Sequence, residues 1–197
     1  AFQINFASHA IKTPGDAPDV LVAMNPAALK VHLKDLVAGG TVIINLGAFN
    51  DRNIEKAGYS ENPLEDGTLD SYRLIQIDIS KLTLAAVEGI EVTQKEALRA
   101  KNLWTLGLMC WMYNRDRQPT IDWLNQRFSK LPKIAEANIA ALNAGHVFGE
   151  TAELPSEIST YIVPKAKVEP GIYRAVTGIE TTSWGLLVGA QKAGLNI

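Results

Sequence analysis

Two short runs of consecutive apolar residues, 20–24 and 42–44, form the clearest pattern in the sequence. Because they are rich in valine and isoleucine, they predict strands over residues 19–24 and 41–46 that are buried on both faces. Between them, a predicted helix over residues 25–37 has its apolar residues at helical spacing: Leu29, Leu33, Leu36 and Val37. The Gly39-Gly40 pair predicts the end of this helix. A strand, a helix and a strand with short connections predict a right-handed crossover and a parallel sheet.

The junction between the first of these strands and its helix carries strong local signals. Asn25 is a favoured N-cap residue, and Pro26 suits the first turn of a helix. In open parallel sheets, ligands bind where the carboxyl ends of strands meet helix N-termini. The Asn25 terminus is therefore a candidate site for a ligand that carries phosphate groups.

The rest of the sequence predicts further strands and helices. Phe2, Ile4 and Phe6 alternate with polar residues, which predicts a strand already under way at the first residue. A third buried strand is predicted over residues 73–78, and a short helix over residues 53–57 within a long polar segment. Further helices are predicted over residues 80–89, 93–114, 120–129, 133–145 and 181–194, and a short strand over residues 172–176. Thr93 and Glu96 have the spacing of a capping box.

These elements predict an α/β fold class, with an open, mostly parallel Rossmann-like sheet and its helices. A helical segment, a linker, and the first strand and helix of a second domain follow. Proline and acidic residues without periodicity begin near His146 and favour a linker there. We assign residues 1–149 to the α/β domain, 150–170 to the linker and 171–197 to the start of the second domain. We expect the α/β domain to continue on the N-terminal side of Ala1.

Composition limits the possible functions. The net charge of −2 and the lack of basic runs argue against nucleic-acid binding. The single cysteine, Cys110, excludes an internal disulfide framework and suits a reducing cytoplasm, and its apolar surroundings predict a buried structural thiol. No apolar stretch is long enough to span a bilayer, and no signal peptide is recognisable, so we expect a cytoplasmic protein without a membrane contact.

Little in the sequence points to catalysis. None of the three histidines has a partner at metal-ligand spacing, and there is no nucleophile elbow, P-loop or dinucleotide-binding glycine motif. We therefore predict neither a catalytic residue nor a metal ligand in this chain. The polar residues that the fold is most expected to hold in place are Asn25, Asn45 and Asn102. Each suits a structural role, and together they are the candidate cofactor-binding residues.

Several segments in order resemble one known family. Residues 16–29 and 39–45 resemble the γ-type domain at the N-terminus of the α subunit of 2-oxoacid:ferredoxin oxidoreductases, most closely the 2-oxoglutarate type. The likeness continues at Gly58-Tyr59, Asn62–Glu65, Leu82–Leu84, Arg99–Asn102, Trp111–Tyr113 and Lys133–Asn138. Residues 171–195 look like the entry into the following pyrimidine-binding, thiamine-enzyme-like domain. Where family members have Gly-Asn-x-Ala, this sequence has Gly178-Ile179-Glu180-Thr181.

The resemblance implies an enzyme that oxidatively decarboxylates a 2-oxoacid, transfers the acyl group to coenzyme A and passes electrons to ferredoxin. It implies a partner β subunit that carries most of the thiamine diphosphate, magnesium and iron–sulfur sites, in an (αβ)2 hetero-oligomer. In this family the γ-type domain helps to cover the coenzyme A site. The glycine-rich first turn of the family would precede Ala1, and its substrate loop would follow Ile197.

Two other interpretations stay open at this stage. The substrate is pyruvate or another 2-oxoacid if the likeness to the 2-oxoglutarate type is only general. The lack of catalytic residue patterns in this chain also permits a non-catalytic α/β interaction domain. A free-standing nucleotide-binding enzyme would require a glycine-rich loop that this sequence lacks.

Overall fold

The computed structural model describes residues 3–11, 17–152, 160–169, 171, 174 and 176–195. Within them, three strands form a parallel sheet in the order β1-β2-β3: β1 is Val20–Ala23, β2 is Thr41–Asn45 and β3 is Arg73–Ile77. The register pairs Val20 with Thr41, and Thr41 with Arg73. The three strands, their parallel direction and the α/β class are therefore as predicted.

Alternation along β2 divides the core into two layers. Val42 and Ile44 pack with Leu29 on one face of the sheet, whereas Ile43 packs with Trp104 and other large apolar residues on the opposite face. All five residues of β2 are buried, as expected for a central parallel strand covered on both faces. The prediction of full burial was wrong for β1, whose first three residues are only half-buried, because β1 lies at the edge of these three strands.

Eight α-helices surround this sheet or follow it within the described residues. They are α1 (Pro26–His32), α2 (Asp51–Lys56), α3 (Ile79–Ala86), α4 (Gln94–Arg99), α5 (Lys101–Met112), α6 (Gln118–Arg127), α7 (Pro132–Thr151) and α8 (Gly178–Lys192). A 3-10 turn over Leu33–Asp35 extends α1, and Gly39 has the positive φ of +71° expected after a helix. The capping box predicted at the start of α4 is present, because Thr93 and Glu96 bond each other's backbone N–H groups.

The predicted helix over residues 93–114 is two helices. Ala100 ends α4, and its N–H bonds to the Ala97 carbonyl, as in a tight 3-10 turn. The break starts α5 in a new direction, in which Trp104 and Leu108 are fully buried in the core. No residue from 103 to 113 is exposed, which confirms that this helix is enclosed.

Helices α5 and α7 pack with their backbones in contact. A Cβ on Gly107 would lie 1.9 Å from the Leu142 carbonyl oxygen, and a Cβ on Gly145 would lie 1.8 Å from that of Trp104. Gly145 therefore does not end the helix, as its position in the sequence suggested. It permits a close helix crossing, and α7 continues to Thr151, six residues beyond the predicted end.

The predicted N-terminal strand is not formed in the part of the chain that the structure describes. Residues 3–11 have no regular structure, and Ile4 is exposed. An alternating pattern shows which face a strand would bury, but a strand also requires a hydrogen-bonding neighbour. Residues 172, 173 and 175 lie outside the described residues, as do residues 12–16 and 153–159, so the predicted strand over 172–176 stays a prediction.

Residues 160–169 have no helix or strand, and the assignment of residues 150–170 to a linker stays a prediction. The segment nevertheless starts attached to the α/β core, because the Tyr161 N–H donates to the Met112 carbonyl at 2.6 Å and its ring stacks on Tyr113. Burial, chiefly, raises the pKa of Tyr113 to about 12.

Contacts divide the chain into two compact units: residues 17–163 with 1–3, and residues 4–16 with 164–197. In the second unit, α8 begins with a capping box, in which Thr177 and Glu180 bond each other's backbone N–H groups. Arg174 lies 3.8 Å from Glu180 and over the Trp184 ring. The assignment of residues 171–197 to a second, thiamine-enzyme-like domain stays a prediction.

Candidate functional site

The candidate site is the edge of the sheet at which the three parallel strands end. Asn25 follows β1 after one residue, Asn45 is the last residue of β2, and Asp78 follows β3. Since neighbouring strands are parallel and in register, their carboxyl ends meet at this edge. This is the edge at which open α/β sheets bind ligands.

Asn25 is the N-cap of α1, as predicted. Its extended backbone and its side-chain oxygen, which accepts the Ala28 N–H at 2.9 Å, give the usual geometry of a cap. Of the first three residues of α1, Pro26 has no N–H and Ala28 donates its N–H to Asn25. The Ala27 N–H is therefore the one donor among these three that stays available. Asn25 is exposed, and the side-chain hydrogen bond that it forms within the described residues uses the amide oxygen.

Asn45 is fully buried, and its amide bonds only to Ser80 among the described residues. The Asn45 oxygen accepts the Ser80 N–H at 3.2 Å, and the amide nitrogen lies 3.0 Å from the Ser80 hydroxyl oxygen. These bonds tie the end of β2 to the first turn of α3. The geometry supports a positioning role, in which Asn45 fixes the edge of the sheet.

Asn102 is exposed in the first turn of α5. One turn later, the Thr105 hydroxyl lies 3.6 Å from the Met24 sulfur and donates to the Lys101 carbonyl at 3.0 Å. The start of α5 therefore packs beside the residue that precedes Asn25. In the described part of the chain, no hydrogen bond joins any two of the three asparagines, and the Thr105–Met24 contact places the start of α5 beside the end of β1.

Sequence reasoning missed Asp78 and Ser80 at this edge. Asp78 caps α3 by accepting the Lys81 N–H at 3.0 Å, and Gly47 passes so close that a Cβ there would lie 2.5 Å from an Asp78 carboxylate oxygen. The available signal was the polar pair Asp78 and Ser80 directly after a buried strand, where a helix cap is expected. The edge is thus formed by helix caps and amides.

Groups elsewhere in the chain do not add a reactive centre. Cys110 is buried as predicted, and burial raises the pKa of its thiol, which disfavours the reactive thiolate. His146 lies 3.4 Å from Glu150 on α7, and burial lowers the pKa of its imidazole. His32 pairs with Asp35 at 3.5 Å. Within the described residues, no three histidine, cysteine or carboxylate side chains are grouped as metal ligands would be.

Comparison with known proteins agrees with this architecture. A family model described as pyruvate ferredoxin/flavodoxin oxidoreductase matches residues 1–148. The chain is 46% identical, over all 197 residues, to "2-oxoglutarate oxidoreductase subunit KorA" of Mycobacterium tuberculosis. The match covers the whole of this chain and 30% of that subunit, so the chain spans less than a third of the length of this curated relative.

A solved structure shares the fold. It is the 2-oxoglutarate:ferredoxin oxidoreductase from Magnetococcus marinus with 2-oxoglutarate, coenzyme A and succinyl-CoA bound, and it superposes with a TM-score of 0.56 at 17% identity. The similarity covers 81% of this chain and 24% of that one. Among the described residues, no helix has the length and apolar character needed to cross a bilayer.

Proposed function

This chain belongs to the pyruvate ferredoxin/flavodoxin oxidoreductase family, and from that premise we propose that it is a portion of a 2-oxoglutarate:ferredoxin oxidoreductase. The observation that carries the proposal is the 46% identity, along the whole chain, to a protein named as a 2-oxoglutarate oxidoreductase subunit. The complete enzyme would oxidatively decarboxylate 2-oxoglutarate, form succinyl-CoA and pass the electrons to ferredoxin. We propose that it works in the cytoplasm.

In this proposal, the redox chemistry belongs to residues outside this chain. Cysteine thiolates hold iron–sulfur clusters, and the only cysteine here, Cys110, is buried in the packed core. These residues therefore do not fit a cluster. We propose that a partner β subunit supplies the cluster and most of the thiamine diphosphate and magnesium sites, within an (αβ)2 assembly.

We propose that this chain shapes the coenzyme A side of the active site. Asn25 is an exposed amide at the carboxyl edge of the sheet, and Asn102 is an exposed amide at the start of α5, which packs beside Met24. An amide can donate to or accept from the polar groups of coenzyme A. Asn45 would act through the backbone, because its bonds to Ser80 hold the end of β2 against α3.

The activity is tested on the full-length subunit, co-expressed with its β partner. We expect reduction of a viologen dye that requires both 2-oxoglutarate and coenzyme A, with lower kcat/KM for pyruvate and for branched 2-oxoacids. Faster turnover of pyruvate would transfer the proposal to a pyruvate enzyme. If the intact complex turned over none of these 2-oxoacids, the catalytic proposal would be wrong, and a non-catalytic interaction domain would replace it.

The role of Asn25 is tested separately from its helix cap. Asn25→Ser keeps a capping oxygen but removes the amide, whereas Asn25→Ala removes both. We expect both variants, and Asn102→Ala, to raise the KM for coenzyme A and leave the KM for 2-oxoglutarate unchanged. An unchanged KM for coenzyme A in Asn25→Ala would exclude Asn25 from the coenzyme A site.

A further inference from the structure

A cleft lined by two lysines lies where α1 meets the loop between α2 and β3. It has a volume of about 390 Å³, within the size range of small-molecule sites. Lys30 and Lys34 line it together with Tyr59, Thr68, Ser71 and Tyr72. All but Leu33 of its lining residues carry an ammonium or a hydroxyl group, and such groups are hydrogen-bond donors.

The ammonium group of Lys30 is held in a fixed position. It donates to the Gly58 carbonyl at 2.5 Å and lies 4.9 Å from the centre of the Tyr59 ring, in a cation–π contact. Gly58 has a φ of +76°, which glycine adopts without strain and which presents this carbonyl to Lys30. An ammonium has three donors, so at least one stays available for a ligand.

Within the described part of the chain, no ion pair neutralises the positive charge of the cleft. Among the residues that the structure describes, no carboxylate lies within salt-bridge distance of Lys30 or Lys34. Burial, and after it the charge of Asp66, raises the pKa of Tyr59, so Asp66 is an acid that acts on this cleft. Its carboxylate accepts the Thr68 N–H at 2.8 Å and is thus engaged within its own loop.

We propose that this cleft, here called the Lys30 cleft, binds the phosphate groups of a small molecule. Lys30 lies in α1 and Lys34 in the 3-10 turn that extends it, and both side chains line the same cleft. They would pair with a diphosphate, and the Thr68 and Ser71 hydroxyls would donate to its remaining oxygens. Tyr59 and Tyr72 offer ring faces for an attached base. The Lys30 cleft involves none of the three asparagines, and its ligand binding does not require the proposed oxidoreductase activity.

Two sources can supply this chemistry: coenzyme A, or a free nucleotide or phosphate. Direct binding to the full-length complex distinguishes them when pyrophosphate, ADP and coenzyme A are titrated separately by calorimetry. Lys30→Gln and Lys34→Gln should each weaken binding about tenfold, because each removes one charged contact. The matched control is Lys130→Gln, an exposed lysine without an ion pair among the described residues.

The pattern of losses identifies the source. If both variants weaken coenzyme A but ADP and pyrophosphate do not bind, the Lys30 cleft holds the coenzyme A phosphates. If they weaken ADP or pyrophosphate and leave coenzyme A unchanged, the ligand is a free phosphate compound. The proposal is overturned if none of the three binds at millimolar concentration, or if a variant with both Lys30→Gln and Lys34→Gln binds all of them as the wild type does. Viologen activity, measured alongside, reports failure of the oxidoreductase proposal independently.

Discussion

Gly145→Ala should be among the most damaging small substitutions in this chain. The new Cβ would lie 1.8 Å from the Trp104 carbonyl oxygen, whereas real Cβ atoms are almost never closer than 3.0 Å to such a neighbour. The obstacle is backbone of α5, so a side-chain rotation cannot relieve it. The two helices must therefore separate by about 1 Å. A gap of this size loses a quarter to a half of the dispersion energy of each contact across it.

The size of the effect follows from the side chains at this crossing. Trp104, Leu108 and Leu142 are fully buried, and burial of each such side chain contributes about 1.5–3 kcal/mol. Losing a quarter to a half of this stabilisation costs about 3 kcal/mol, and the better helix propensity of alanine returns about 1 kcal/mol. The net loss should be about 2 kcal/mol, within the usual range for overpacking.

Hydrogen exchange of α5 and α7 in the full-length subunit measures this loss locally. A loss of 2 kcal/mol should make amides that open with this crossing exchange about 30-fold faster. Gly149→Ala is the control for a smaller loss of stability. Its new Cβ would lie 2.4 Å from the Trp111 side chain, which can move, whereas backbone cannot. Val147→Ala, at an exposed position of α7, is the neutral control. Unchanged or slower exchange in Gly145→Ala would refute the argument that the backbones must touch.

Three further predictions concern other elements. Thr93→Ala should destabilise α4 by about 1 kcal/mol because it removes the helix cap, whereas Thr93→Ser should behave as the wild type. Hydrogen exchange in α4 should be faster in the alanine variant, and equal exchange in both variants would contradict the role of the cap. Asn45→Ala should cost about 1–3 kcal/mol in thermal unfolding, because it removes the buried hydrogen bonds to Ser80, and an unchanged unfolding temperature would exclude this tie. Cys110 should resist iodoacetamide in the native subunit below pH 9 and react after unfolding, since burial raises its pKa; peptide mapping that finds native labelling would show that the thiol is accessible.

The candidate site was partly predictable. Asn25 was recognisable because an N-cap depends on residues within one turn, and its bond to Ala28 spans three positions. The tie between Asn45 and Ser80 was not, because it joins residues 35 apart. The Lys30 cleft was missed for the same reason: Lys30 meets Gly58 and Tyr59 only through the tertiary structure.

The sequence by itself determined the order of the three parallel strands and of the helices except the break between α4 and α5, the caps at Asn25 and Thr93, and the burial of β2. These features depend on periodicity and on hydrogen bonds between near neighbours. Only the tertiary structure decided whether glycines end helices or bring them together. Gly39 has a positive φ in a turn, whereas Gly145 lies inside α7 against α5. A glycine has the same local chemistry in both places, and the difference is made by the presence of a second helix.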